Sequence, residues 1–322
     1  TLLLQFQKKL LDSGIKKEQI TSINFEDMDN ESLCSYRTLH QFIKSKMKPG
    51  RTQYIFLDEI QHVKEYQKAV DSLFAKGGCD IYITGSNAYF MSGELATLLS
   101  GRYVQIEILP FSFAEFRSAF PKEQKAETLF TEYTESGSFP YTICLGSSIS
   151  GKKEYLRDLY NSVLLKDIVA RLKIADVETL ERITKFMMNA VGCQINYTNI
   201  ARALTSSGNK CDPKTAAKYV RGLCDSQLFY EVTRYNIRGK QFLTTQNKYY
   251  PVDTGLRNLL SKSGSSDSGH LLENIIYLEL RRRYTEVFTG EIDGEEIDFI
   301  VKNDNGGIEY FQVSLSTLSE DT

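Results

Sequence analysis

Much that would classify these 322 residues at once is scarce or missing. No apolar run approaches the roughly 18 residues of a membrane-spanning helix, and no signal-peptide pattern is present. Six cysteines, at 34, 79, 144, 193, 211 and 224, form no C-x-x-C pair. That excludes a disulfide framework or zinc ribbon and reads as scattered reduced thiols of a cytoplasmic protein. The three histidines, His40, His62 and His270, are too dispersed for a metal triad or catalytic pair. Neither G-x-S-x-G, H-E-x-x-H nor an EF-hand loop occurs. Charge of one sign is lacking too: 39 basic against 41 acidic residues argue against a uniformly basic nucleic-acid binder. Proline is rare, and no internal repeat or low-complexity stretch appears. What is present, 41% hydrophobic and 11% aromatic residues, fits a globular chain, and the length predicts two or three domains.

The most informative stretch is YIFLDEIQ, 54 to 61. Tyr54 to Leu57 read as a buried strand of a parallel sheet. Asp58 and Glu59 then belong at its C-terminal tip, because a buried strand cannot hide those charges cheaply. In an open α/β sheet the tip is where ligands bind. The other reading is an acidic helix start, where carboxylates suit the dipole. Around this stretch strands and helices alternate. ITSINFED (20–27) is a strand, SLCSYRTLHQFIKSKM (32–47) a helix, HVKEYQKAVDSLFAKGG (62–78) a helix ended by glycines, and CDIYITGSNAYF (79–90) a strand. This alternation predicts a parallel α/β sheet. At the start, Leu2, Leu3, Phe6, Leu10 and Leu11 form one helical stripe.

Several of these stretches resemble AAA+-like P-loop ATPases of bacteria and archaea. FLDEIQ is similar to a Walker B strand. TLLLQF is similar to the segment after a Walker A lysine, which implies a phosphate loop just upstream. ITGSNAYF places Asn87 at a sensor position, and LSGRYVQIEILPFSFAEF (99–116) is specific to the family. The resemblance implies ATP and Mg²⁺ as ligands. Asp58 would hold the metal, Glu59 would position water, Asn87 would sense the γ-phosphate, and Thr1 and Ser86 would line the nucleotide. Arg102, between helix ELATLL and strand YVQIEIL, would be a phosphate-sensing arginine; a surface arginine at a helix end is the alternative.

Downstream, 152–174 reads as a long helix. Helices at 178–192, 196–204 and 212–232 come next, then a hairpin at 234–253 around Arg238-Gly239-Lys240. Three helices and a hairpin are a winged helix-turn-helix. Lys214, Lys218, Arg221, Arg238 and Lys240 are its candidate DNA contacts, though such modules also serve as plain protein-contact domains. After SKSGSSDSG (261–269), the helix with Glu273, the strand with Asp298 and the strand ending in Gln312-Val313-Ser314 resemble a PD-(D/E)xK nuclease fold. Active members carry an acidic residue and a lysine on that last strand; Gln312 and Ser314 stand here instead, which implies a degenerate site. An unrelated unit with surface acids is the alternative.

The expected class is therefore α/β: an AAA+-like parallel-sheet P-loop domain at 1–135, a helical linker and winged helix-turn-helix at 136–262, and a small nuclease-like α/β domain at 268–322. The expected function is a Mg²⁺-dependent ATPase acting as a nucleotide-driven switch, with DNA or a protein as client, no membrane contact and oligomerisation open. The alternative is a DNA- or protein-binding module with a regulatory or inactive ATPase. From the degenerate triplet, full-length protein with plasmid DNA and Mg²⁺ or Mn²⁺ is expected to show no cleavage. Cleavage that disappears in a Glu273→Ala, Asp298→Ala double variant would mean that a lysine from elsewhere, such as Lys302, completes the site.

Overall fold

A computed structural model describes residues 2–85, 101–236, 241–261, 268–292, 295–303 and 305–315. It divides into two compact units, 1–106 and 107–322. The first holds a parallel three-stranded sheet of β1 (Ile20–Asn24), β2 (Gln53–Asp58) and β3 (Cys79–Ile83), in that order. β2 is central, so both its faces are covered, and Ile55, Phe56 and Leu57 are fully buried. This is why its apolar run is continuous rather than alternating. On one face pack Leu39 and Ile43 of helix Tyr36–Lys46 and Ala69, Val70 and Leu73 of helix Tyr66–Lys76. On the other, Phe56 stacks on Tyr82 at 4.9 Å, and Phe6 of helix Leu2–Asp12 meets both rings edge-on. The expected stripe on that first helix is narrower: Leu3, Phe6 and Leu10 are partly covered, whereas Leu2 and Leu11 are exposed.

One expectation near this unit is corrected. YVQIEIL forms no strand, and Val104, Ile106 and Ile108 are exposed. A strand needs a neighbour for its backbone, and this segment has no ladder partner among the described residues. The first compact unit ends at 106, short of the 135 expected for the AAA+-like domain, and helices Phe113–Ser118 and Ala126–Ser136 belong to the second unit.

The second unit begins with those helices and continues through Ile149–Asn161. A π-helical stretch, Ser162–Val169, leads into Ala170–Leu172. Next are helices Val177–Asn189, Tyr197–Ser206 and Pro213–Asp225, the last capped by Asp212 with Pro213 at its first turn. The chain then turns at Gln227, whose φ is 56°, into β4 (Phe229–Asn236). FYEV is therefore strand, not the end of the preceding helix, because Phe229, Tyr230 and Val232 bury into the core there. β5 (Gln241–Pro251) returns antiparallel to β4.

The hairpin does not stand apart as a wing. β4 also pairs in parallel with β6 (Val287–Ile292), which continues antiparallel into β7 (Glu295–Lys302) and β8 (Ile308–Phe311). The sheet order is β5-β4-β6-β7-β8. Tyr250 of β5 stacks at 4.6 Å on Tyr277 of helix Ser268–Arg283. The boundary expected at 262–268 thus falls inside a single core.

At one end of this unit Asp253, fully buried, accepts hydrogen bonds from Ser138 N at 2.7 Å and Leu256 N at 3.1 Å. Burial pushes its carboxyl up from the usual range, and those donors pull against that. Helix Thr254–Leu260 comes so close to the 136–137 turn that a Cβ on Gly255 would lie 2.5 Å from Ser136 O. Gly255→Ala is expected to destabilise by about 1–3 kcal/mol through overpacking against backbone. A urea midpoint equal to wild type would show that the two segments can separate freely.

Candidate functional site

The tips of β2 and β3 bring Asp58, Glu59 and Thr84 together. Thr84 Oγ1 donates to Asp58 Oδ1 and accepts from Glu59 N at 3.2 Å. Backbone bonds from Thr84 N to Leu57 O and from Ile60 N to Thr84 O fix the two tips against each other. Asp58 is partly buried, as its position at the end of a buried run dictates. Glu59 adopts a left-handed conformation, φ 56° and ψ 47°, which turns the chain sharply out of the sheet. Such a backbone is uncommon for a residue with a side chain and is held here by the Thr84 contacts. A 3₁₀ turn, Ile60–His62, follows directly with Glu59 at its N-cap position, but the Glu59 side chain makes no capping bond to it, and the α-helix begins only at Tyr66.

The Glu59 carboxylate accepts from Gln61 Nε2. One oxygen each of Glu26 and Glu59 and a ring nitrogen of His62 lie within 4.8 Å of one another. Glu26 and His62 were not expected at the site; they arrive because the β1 and β2 tips are adjacent in register, Asn24 opposite Asp58. Thr84 was not expected there either, although it is the first hydroxyl after the apolar run of β3.

Arg102 is held elsewhere. Its guanidinium pairs with Asp71 and lies 6.0 Å from the Phe74 ring centroid, both on helix Tyr66–Lys76. Its observed partners are those of a surface arginine, not Asp58 or Glu59. Thr1, Ser86, Asn87, Arg238 and Lys240 lie outside the described residues.

In the second unit Lys214, Lys218 and Arg221 share one face of helix Pro213–Asp225 and line a groove of about 390 Å³. That face is partly covered. Lys218 Nζ donates to Leu172 O at 3.1 Å, and Leu172 lies over Gly222, where a Cβ would meet it at 2.5 Å. Arg171 in turn donates to Gly222 O and Ser226 Oγ and faces Asp167 and Asp225.

Glu273 and Asp298 do come together, and Lys248, which no sequence motif singles out, joins them. Lys248 Nζ lies 2.8 Å from Glu273, 2.5 Å from Glu296 and 3.9 Å from Asp298. Tyr250 OH donates to Glu273 at 2.6 Å, and Val313 N to Asp298 at 2.7 Å. Gln312 Oε1 accepts weakly from Asp298 N, at 3.4 Å. Lys302, the lysine expected to move in if any did, instead pairs with exposed Glu286 at 3.5 Å. Burial opposes the charge on Lys248, but Glu273 and Glu296 outweigh it and hold its pKa above the usual value. Burial raises the Asp298 carboxyl.

Residues 1–117 match the family model of an AAA domain, and residues 127–267 match a domain of unknown function. An uncharacterized protein of Haemophilus influenzae is 38% identical over 306 residues, covering 94% of this chain and 76% of that one. An uncharacterized protein of Methanocaldococcus jannaschii is 30% identical over 305 residues, covering 90% and 67%. The chain belongs to the family of these two proteins, and its residues 1–117 carry an AAA-domain match. A solved Walker-type ATPase of Pyrococcus abyssi aligns over 79% of this chain and 75% of its own, at 14% identity and a TM-score of 0.46. The AAA-domain match spans all three strands of the first sheet and the Asp58–Thr84 tip. The second match takes in Lys248 but ends before Glu273 and Asp298.

Thr84→Val keeps the shape and removes the hydroxyl that serves both Asp58 and Glu59. The expected cost is about 1–3 kcal/mol for the carboxylate left without its donor, recovered by Thr84→Ser. Urea unfolding of the three proteins decides; an unchanged midpoint in Thr84→Val would remove Thr84 from the site.

Proposed function

We propose that the first unit binds ATP with Mg²⁺ and hydrolyses it, and that nucleotide state switches the downstream unit's hold on a client. The observation that supports this most is the Asp58–Thr84–Glu59 arrangement at the strand tips of a unit matching an AAA domain. Asp58 and Thr84 offer hard oxygen donors, the kind Mg²⁺ takes. Bound there, the metal supplies charge neutralisation for phosphoryl transfer. Thr84 keeps the Asp58 carboxylate oriented from the neighbouring strand. Glu59, turned out of the sheet by its left-handed backbone, is the group that would orient an attacking water, and its bond from Gln61 limits its rotamers. Asn87 remains the proposed γ-phosphate sensor.

For the downstream unit, a protein client fits better than duplex DNA. Lys218 is engaged by Leu172 O, and Arg234 by Glu291 across the β4–β6 pair. Cations already engaged inside the fold neutralise few phosphates.

Glu59→Gln in the full-length protein is expected to lower ATP turnover by about 10²-fold or more, while binding of a fluorescent ATP analogue stays near wild type. Phosphate release and fluorescence titration measure the two. Wild-type turnover in Glu59→Gln would take the water-positioning role from Glu59. Absence of turnover and binding in the wild type would overturn the ATPase reading itself.

A further inference from the structure

The carboxylates of Glu273, Glu296 and Asp298 converge from two elements, helix Ser268–Arg283 and β7. Glu273 and Asp298 are largely withdrawn from water, with side-chain exposures of 9% and 13%. Like charges so placed repel, and each has lost hydration. In proteins such a group is held together by a divalent cation or by a fixed positive side chain. Here Lys248 Nζ, on a side chain only 3% exposed, is the point nearest all three. Two of its N–H groups reach Glu273 and Glu296 at hydrogen-bonding distance, and Tyr250 OH takes a further lone pair of Glu273.

We propose that Lys248 is the resident cation of this cluster, an ammonium occupying the position from which a divalent metal would otherwise bind Glu273, Glu296 and Asp298. This cluster then needs no metal to hold its carboxylates together. The arrangement also explains how the hairpin is tied to the C-terminal strands. β5 and β7 are separated in the sheet by β4 and β6, so no backbone ladder joins them. The lysine of one and the carboxylates of the other do. A lysine held in this way, its charge shared among three acids, serves as a clamp and fills the inner side of the cluster, while the outer side of Glu296 stays exposed and Glu273 Oε2 faces His270 Nδ1 at 3.5 Å.

Removing the ammonium should convert the cluster into a metal site. Full-length wild type, Lys248→Ala, Lys248→Arg, Asp298→Asn and Lys248→Ala/Asp298→Asn are dialysed against Mn²⁺ without nucleotide, and bound metal is counted. Lys248→Ala should bind one more ion per chain than wild type, and the added Asp298→Asn should abolish that gain. Lys248→Arg, which keeps the charge, should gain none. The difference between variants reads this cluster alone, so the result does not depend on whether the first unit takes Mg²⁺ with ATP. Lys248→Ala should also melt roughly 10 °C lower in EDTA, with much of the loss restored by Mn²⁺. If Lys248→Ala folds only when Mn²⁺ is present, the proposal stands; if it folds under neither condition, the cluster cannot accept a metal and the proposal fails. It is likewise overturned if Lys248→Ala gains no ion, or if wild type already binds an ion that Asp298→Asn alone removes.

Discussion

Ionised side chains survive in a water-excluded sheet only at its tips or against an opposite charge, and both sheets of this chain are arranged around that constraint. In the first unit the central strand is buried on both faces until Asp58, where the charge emerges at the carboxyl end and meets Thr84. In the second, acids from a helix and a strand are drawn inward and answered by Lys248. The first solution leaves carboxylates accessible at an edge where a ligand can arrive. The second commits its charges to one another.

The same demand for polar partners shapes the helical part. The end of the Ala170–Leu172 turn and helix Pro213–Asp225 are tied together: Lys218, in mid-helix, donates to Leu172 O, and Arg171 adds a second bond to Gly222 O, which already accepts from Ser226 N. Gly222 permits the approach, since any side chain there would strike Leu172. Helix termini leave carbonyls without partners, and here Lys218, which a linear reading assigns to nucleic acid, serves that of Leu172. Arg234 follows the same course with Glu291. The count of cations on a helix face therefore says little until the neighbouring helix end is placed.

Residues that act through local rules were legible from their order. The run Ile55-Phe56-Leu57 announced a doubly covered strand, the glycines at 77 and 78 a helix end, and Asp212-Pro213 a helix start, because each depends on neighbours a few positions away. The helices at 177–189, 197–206 and 213–225 followed from their apolar spacing for the same reason. YVQIEIL carried strand-like residues, but strand formation requires a partner backbone, which composition does not supply. FYEV read as the end of a helix because short apolar runs suit either element; the β4–β6 pairing decided it.

The amino-acid order alone therefore determined the α/β character, the central strand and the position of Asp58 and Glu59 at its end, since burial and charge dictate these within a single segment. Tertiary structure decided the rest. It placed Thr84 beneath Asp58, sent Arg102 to Asp71, fused the hairpin with the C-terminal strands, and carried Lys248 across 25 residues of sequence to Glu273. Each of these is a meeting of side chains or backbones distant in sequence, and such meetings are fixed by how whole elements pack, not by the letters at either end.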